Sequence, residues 1–181
     1  MRRIVTEDDY FEAALDLLVS DGHTSLKVGS LCEALGVTSG SFYGYFSGLP
    51  EFVSELISTR FSDRNELLRE LAATDLGPEV RLERLRDLAC GVQHRAESAI
   101  RVWAQHQPEA GSLQRRLDRE RAKALVQVLE PLVGSPEAAQ RLGKLGMALL
   151  VGWQHLQVDA SAGDFDRLFD EFERVVLRAR P

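Results

Sequence analysis

A short run of hydroxyl side chains and tyrosines between glycines is the part of this chain best suited to chemistry with another molecule. From Gly36 to Phe46 the sequence reads Gly-Val-Thr-Ser-Gly-Ser-Phe-Tyr-Gly-Tyr-Phe. Hydroxyls can donate hydrogen bonds to phosphates or read base edges, and glycines let a backbone approach closely. No acidic residue lies between Ala34 and Leu49, so no carboxylate there would repel a phosphate. The segment is suited to insertion into a groove of DNA.

The elements that must position these side chains are a helix, a tight turn and a second, short helix. Apolar residues recur at helical spacing from Val28 to Leu35, and Gly36 can adopt the left-handed conformation that ends a helix. Thr38 supplies a start signal for the next helix. Phe42 and Phe46 are four residues apart and can anchor that helix in a core, which leaves its hydroxyls facing outward. The pattern predicts the second half of a helix-turn-helix.

The amino-terminal part of the chain resembles the signature of TetR-type transcriptional regulators. The resemblance lies in Gly22, the Val28–Leu35 helix and the Gly36-to-Phe46 segment. The resemblance covers roughly residues 3 to 60, and beyond it only the helical layout and the length agree. It implies an all-α fold with a three-helix DNA-binding head at 1–48 and a larger helical body at 49–181 for effector binding and dimerisation. The implied function is that of a homodimeric, ligand-responsive repressor.

The resemblance implies which residues meet double-stranded DNA at a palindromic operator. It assigns base or phosphate contacts to Thr38, Ser39, Gly40, Ser41, Tyr43, Gly44 and Tyr45. Lys27, at the start of the second helix, is a further candidate for a phosphate contact. For Tyr45 an alternative is equally open, because it adjoins Phe46 and can pack beneath the helix.

The sequence departs from the family at two places. Where the family usually carries a lysine at the start of the fourth helix, this chain has Leu49-Pro50, and Gly44 stands where a long side chain is more common. With fewer direct contacts, specificity would depend more on DNA shape, or on an Arg2-Arg3 arm that enters a minor groove.

Charge restricts how the chain could bind DNA. A formal net charge of −6 over 181 residues argues against a protein that coats nucleic acid by bulk attraction. Three basic side chains in residues 1–48 oppose seven acidic ones: Arg2, Arg3 and Lys27 against Glu7, Asp8, Asp9, Glu12, Asp16, Asp21 and Glu33. The acids that follow Thr6 suit the amino terminus of a helix, so capping explains them. We expect local DNA contacts and weak non-specific affinity.

Composition and cysteine usage predict a cytoplasmic protein. Hydrophobic residues make up 44% of the chain, enough for a core. Cys32 and Cys90 have neither the number nor the spacing of a disulfide framework or a zinc site, and no His/Cys pairing of metal-ligand spacing occurs. No apolar run could span a membrane, and Met1-Arg2-Arg3 is followed by acids rather than by a signal peptide. We expect no metal, no cofactor and no membrane partner.

Turn residues divide the rest of the chain into helices. The first helix is predicted from about Glu7 to Asp21, and a long one from Leu49-Pro50 to about Ala73. Gly77-Pro78 starts the next. Further breaks are expected at 108–111, 133–136 and 159–163, which leaves four or five helices in the body and no strand. The charged stretch 113–121 is interpreted as a solvated helix face.

Two apolar stripes near the carboxyl end predict a dimer interface, with glycines at 143, 146 and 152 allowing close approach. The alternative is that these helices only cover the core of their own chain. The candidate interface residues are Leu142, Leu145, Gly146, Leu149, Gly152, Leu156, Phe165, Leu168, Phe169, Phe172 and Val176.

A few unusual side chains in the body are candidates for an effector pocket. Tryptophans could stack on a flat organic molecule and histidines could hold its polar groups, although ordinary core packing explains each one singly. The candidates are Cys90, His94, Trp103, His106, Trp153 and His155.

Two other classes of function compete with a DNA-binding regulator. An enzyme is disfavoured, because the sequence shows no Gly-x-Ser-x-Gly, no phosphate-binding glycine loop and no catalytic cluster. A helical interaction module that has lost DNA binding is the stronger alternative, because the head is acidic and the usual lysine is missing.

Overall fold

The computed structural model of this chain describes residues 5–156 and 162–180. In that part all regular secondary structure is helical, as predicted. A short 3-10 turn, His23–Ser25, follows the first helix. The α-helices are α1 (Glu7–Asp21), α2 (Val28–Leu35), α3 (Ser39–Tyr43), α4 (Leu49–Ala73), α5 (Pro78–Cys90), α6 (His94–Gln105), α7 (Pro108–Val133), α8 (Pro136–Leu156) and α9 (Ala162–Arg178).

The acids at the start of α1 cap the helix, which confirms their predicted role. The Thr6 side chain accepts from the backbone N–H of Asp9 at 3.3 Å. The Asp9 carboxylate accepts in return from the backbone N–H of Thr6 at 2.8 Å. This reciprocal pair is a capping box, and it satisfies two donors that the first turn would otherwise leave without partners.

Gly36 makes the tight turn between α2 and α3. Its φ of 65° places it in the left-handed region, where a residue without Cβ is unstrained. The next N–H, that of Val37, donates to the carbonyl of Cys32 at 2.9 Å, which is the six-to-one bond of a Schellman cap. The predicted helix, turn and second helix are confirmed.

The chain forms two compact units. The first contains residues 1–60 and 93–114, and the second contains 61–92 and 115–181. The first unit therefore includes α6, which packs against α1. The division runs through α4 and α7 rather than at residue 49, and the functional boundary between 1–48 and 49–181 stays a prediction.

Aromatic rings form the core of the first unit. Phe42 and Phe46 are buried, as predicted, and their ring centroids lie 5.2 Å apart. Phe46 also lies 4.9 Å from Phe52 of α4 in an edge-to-face arrangement. Tyr10 of α1 lies 5.6 Å from Phe42, and Phe11 stacks on Phe52 at 5.6 Å. These five rings, the head cluster, join α1, α3 and α4.

The second unit is built by parts of α4 and α7 together with α5, α8 and α9. Its core is mostly leucine with three phenylalanines of α9. The predicted breaks at Pro78 and near Pro136 are confirmed, but the sequence did not indicate the break between α5 and α6, where Gly91 ends α5. In the described ranges no helix is both long and apolar enough to cross a bilayer.

The stretch 113–121 is only partly the solvated face that the sequence indicated. Arg115, Arg116 and Glu120 are exposed. Arg121, however, is 4% exposed, and its Nε donates to the Asn65 side chain at 3.1 Å. Arg121 is in register with Leu117, four residues earlier on the same buried face, so its helical position outweighs its charge.

Two glycines, one within α2 and one directly after it, test the role of backbone conformation. A Cβ at Gly29 or at Gly36 would meet no atom within 4 Å, but only Gly36 has a positive φ. We expect Gly36→Ala to lower the free energy of unfolding by about 1 kcal/mol or more. Gly29→Ala should raise it by up to about 1 kcal/mol, because alanine favours a helix. Urea unfolding measures both, and equal effects would contradict the assignment of strain to Gly36.

Candidate DNA-contacting surface and effector cavity

The outer face of α3 presents the hydroxyls and the tyrosine that the sequence singled out. Thr38, Ser39 and Gly40 are exposed. The Tyr43 side chain is 58% exposed. Thr38 occupies the amino-terminal cap position of α3, but its side chain makes no capping hydrogen bond. The Thr38 hydroxyl is therefore not committed to the helix that follows it.

Two of the predicted DNA-contacting residues also have partners inside the head. Ser41 is half-buried, and its hydroxyl accepts from the Tyr10 hydroxyl at 2.9 Å. Tyr45 is exposed, but its hydroxyl donates to the backbone carbonyl of Val5 at 2.7 Å. This bond favours the packing alternative for Tyr45, because the phenol holds the segment that precedes α1.

The remaining predicted positions lie at the borders of α2 and α3. Lys27 is exposed at the amino-terminal cap position of α2. Gly44 is exposed and follows the last residue of α3. An added Cβ at Gly44 would lie 3.3 Å from the carbonyl oxygen of Ser41, a close contact. A side chain at this position would require an adjustment of a few tenths of an ångström.

Carboxylates border the α3 face but do not lie on it. Glu33 is exposed on α2. Glu51 accepts from the backbone N–H of Ser47, and hydrogen bonds from Ser47 hold the pKa of Glu51 below its usual value. Glu51 therefore stays charged at neutral pH, close to where the family usually has a lysine. The Arg2-Arg3 arm lies outside the described residues.

A cavity lies within the second unit, between helices of its core. Its volume is about 60 Å³, room for about four water molecules. The lining includes two arginines, Arg64 and Arg121. Its other residues are Met147, one glycine and further apolar residues. Besides Met147, these are Leu68, Leu85, Leu88, Ala89, Val92, Leu125, Gly146, Leu149, Leu150, Phe165, Phe169 and Phe172.

The six predicted effector-binding residues are divided between the two units. His94, Trp103 and His106 belong to the first unit, whereas Cys90, Trp153 and His155 belong to the second. None of the six is among the lining residues of the cavity. His106 and His155 are exposed, and Trp153 packs against the core of the second unit, 5.9 Å from Phe165. Their role in effector binding stays a prediction.

Two arginines of the cavity were not predicted from the sequence to line a binding site. Arg64 lies three residues after Phe61 and four before Leu68, and Arg121 lies four before Leu125. Each is therefore in register with apolar residues that are buried. A basic residue at an apolar position of a helix is the signal that could have identified both.

Most of the predicted dimer residues serve the core of their own chain. Leu142, Phe165, Phe169, Phe172 and Val176 are buried, and Gly146 and Leu149 line the cavity. Glycines 143 and 146 lie close to another helix of their own chain, and a role for them at a second subunit stays a prediction. An added Cβ at Gly143 would lie 2.6 Å from Val126, and one at Gly146 would lie 2.9 Å from Leu125. Both glycines admit α7 of the same chain.

Part of each stripe remains on the surface. Leu145 is 45% exposed, Leu156 77% and Leu168 37%. An added Cβ at Gly152 would meet no atom within 4 Å, so this residue faces open space. The exposed apolar set, which we call the α8–α9 face, consists of Leu145, Gly152, Leu156, Leu168 and Val175.

An ion-pair cluster joins α5 to α9 beside the cavity. The Arg86 guanidinium donates to Asp166 at 2.7 Å and to Asp170 at 2.6 Å, and it also pairs with Glu173. The Cys90 thiol donates to the same Asp166 carboxylate at 3.5 Å. In the described residues no group of three or more His, Cys, Asp or Glu side chains is placed to hold a metal ion.

The environment of Cys90 predicts an unreactive thiol. Burial, followed by the hydrogen bond to Asp166, raises the pKa of Cys90 to about 11. With Cys32 replaced by alanine, we expect iodoacetamide to alkylate Cys90 at pH 8 about a hundredfold more slowly than free cysteine. Asp166→Asn should lower the midpoint of the pH–rate profile, because a negative charge is removed. A midpoint at the ordinary cysteine value, or one that Asp166→Asn leaves unchanged, would contradict this account.

No protein-family model matches the sequence, and no curated protein is significantly similar to it. Solved structures nevertheless match its fold over nearly its whole length. A transcriptional regulator from a Rhodococcus species matches with a TM-score of 0.75 at 18% sequence identity, covering 95% of this chain and 94% of that chain. FadR from Bacillus subtilis, solved in complex with stearoyl-CoA, gives a TM-score of 0.69 at 14% identity and covers 97% of this chain and 100% of that chain.

A third solved structure matches over most of both chains. It is assigned as a TetR-family transcriptional regulator from Mesorhizobium loti, and it matches with a TM-score of 0.64 at 15% identity over 95% of each chain. At such identities the match concerns the fold. This chain has the all-α fold of solved transcriptional regulators, among them a TetR-family member.

Proposed function

We propose that this chain is a sequence-specific DNA-binding transcriptional regulator that acts as a homodimer and responds to a small-molecule effector. The observation that carries the proposal is the outer face of α3, which is exposed, free of charge and rich in hydroxyls. Such a face on the second helix of a helix-turn-helix suits a major groove. The shared fold with solved transcriptional regulators supports the same conclusion.

The residues divide into two kinds of DNA contact. Thr38, Ser39 and Tyr43 have exposed side chains that can reach base edges or phosphates. Lys27 supplies a positive charge for a phosphate. Gly40 allows the backbone of α3 to approach the DNA closely. Ser41 and Tyr45 contribute mainly through the head, because both hydroxyls already have partners there.

The α8–α9 face is the proposed site of the second subunit. Leucines 145, 156 and 168 are exposed, and an exposed apolar patch often marks an interaction site. Packing α8 and α9 against their copies would bury these leucines in a four-helix bundle. A two-fold dimer would match a palindromic operator, whose half-sites lie about one helical turn apart.

The cavity of the second unit is the proposed effector site, and the resemblance of the head to TetR-type regulators supports the role of a repressor. In this mechanism the effector binds one conformation more tightly and shifts the dimer towards it. That conformation would space the two heads so that they no longer fit successive major grooves. The competing proposal, a helical interaction module, rests on the acidic head and predicts no DNA binding.

Selection from random duplex DNA at one moderate salt concentration tests the DNA-binding proposal. We expect the native protein to enrich a palindrome. Tyr43→Ala should weaken binding to it by about tenfold or more, since a hydrogen bond to a charged group contributes about 1.5–3 kcal/mol. Val80→Ala is the control, because Val80 is also exposed, at 43%, but lies on α5. Failure of the native protein to enrich any sequence, with and without candidate effectors, would favour the interaction module.

A matched pair of leucines tests the dimer. Leu145 on α8 and Leu67 on α4 are similarly exposed, at 45% and 42%. We expect Leu145→Glu to shift the protein from dimer to monomer in sedimentation velocity, because it places a charge in the proposed interface. Leu67→Glu should leave the dimer intact. A monomeric native protein, or equal effects of the two substitutions, would refute this interface.

A further inference from the structure

We propose that the cavity of the second unit selects an amphipathic anion, a molecule with an apolar body and one negatively charged head, and that Arg64 binds the head. The inference rests on the proposed function, because it takes this cavity to be the effector site. It adds the class of the ligand and names the residue that discriminates it.

The wall of the cavity is apolar except for two positive charges. Arg64 and Arg121 are its charged members, and its described lining includes no acidic residue. In a site of low dielectric constant, a guanidinium attracts an anion more strongly than it would in water. The same charge would oppose a cationic ligand and offer less to a neutral one. The wall therefore favours an anion with an apolar body.

Arg121 is held by contacts within the second unit. It is buried, its Nε donates to the Asn65 side chain at 3.1 Å, and its guanidinium lies 5.3 Å from the centre of the Phe61 ring. Asn65 is itself held, because its amide donates to the carbonyl of Leu117 at 2.9 Å. These contacts direct the Arg121 guanidinium to Asn65 and Phe61, which are not among the lining residues of the cavity.

Arg64 is the better partner for a ligand head. It is half-buried, and the contact recorded for it in the described part of the chain is a hydrogen bond to the carbonyl of Gly91. A guanidinium carries five N–H donors in a planar fork that matches a carboxylate. Because the carbonyl of Gly91 uses only part of the Arg64 guanidinium, other N–H donors of Arg64 can bind a second acceptor. Gly91 is exposed. Arg64, which donates to its carbonyl, therefore lies at the end of the cavity that is closer to solvent.

The size of the space indicates how the apolar body would enter. A volume of about 60 Å³ is smaller than the cavity of about 150 Å³ that holds benzene in an engineered core. An apolar chain must therefore displace lining side chains. Met147 is suited to this movement, because its unbranched thioether has three rotatable bonds. Ligand binding would thus repack the interior of the second unit.

Three probes with the same apolar body and different heads test the inference: octanoate, octanol and octylamine. Titration calorimetry on the full-length protein without DNA should show octanoate binding about tenfold or more tightly than octanol, since a charge-assisted hydrogen bond contributes about 1.5–3 kcal/mol. Octylamine should bind more weakly than octanol. Equal affinities for octanoate and octanol, or no binding of octanoate, would overturn the proposal.

Substitutions at Arg64 locate the site. Arg64→Gln should reduce the affinity for octanoate to that for octanol, and Arg64→Lys should retain a preference for the anion because it keeps the charge. Arg69→Gln is the matched control: it makes the same change on α4, but Arg69 is exposed and pairs with Glu66 on the surface. Thermal unfolding shows whether each variant is folded. An Arg64→Lys protein that is folded but has lost the preference, or an unaffected Arg64→Gln protein, would refute the role of Arg64.

The failure of this inference can be distinguished from the failure of the proposed function. Ligand binding is measured without DNA, whereas regulation is measured on the selected palindrome. Binding of octanoate without any change in DNA affinity would support the ligand class and refute the effector role of the cavity. Enrichment of a palindrome by a protein that binds none of the probes would support the regulator and refute the ligand class.

Discussion

The position of α3 depends on the burial of the head cluster. A helix of five residues is too short to be stable by itself, because its few backbone hydrogen bonds do not offset the cost of nucleation. Phe42 and Phe46 bury completely beneath α3, and each buried ring contributes about 1.5–3 kcal/mol. Tyr10 adds a hydrogen bond to Ser41 at 2.9 Å. The direction in which the exposed hydroxyls point is thus set by aromatic packing on the opposite side of the helix.

The second unit combines tight packing with a space that is not filled. Gly143 and Gly146 bring α8 so close to α7 that a methyl group at either position would force a side chain of α7 to move. Arg86 joins α5 to α9 through three carboxylates. Between these fixed contacts remains a cavity whose wall includes two arginines. Voids and buried charges both lower stability, and this is the region proposed above as the effector site.

Local patterns predicted the first half of the chain well. Thr6 with Asp9, the left-handed Gly36 and the pair Phe42/Phe46 each act within a few residues, so a capping box, a turn and a buried face follow from spacing alone. The α9 stripe was also correctly placed on one face. Its partner could not be deduced, because an apolar stripe shows that a face is buried but not by what. Phe165, Phe169 and Phe172 proved to line a cavity of their own chain.

The sequence by itself determined the helical class, the helix-turn-helix and the uncharged surface of α3, because capping, glycine conformation and helical periodicity are short-range properties. The tertiary structure alone decided which charges become buried and which hydroxyls stay available. Arg64 and Arg121 are 57 residues apart in sequence, from 64 to 121, and meet at one cavity only because α4 and α7 pack against the same core. Similarly, the hydrogen bond from Tyr45 to the carbonyl of Val5, 40 residues away, is visible only in the folded chain. Long-range contacts depend on how helices pack, and spacing along the chain does not specify that.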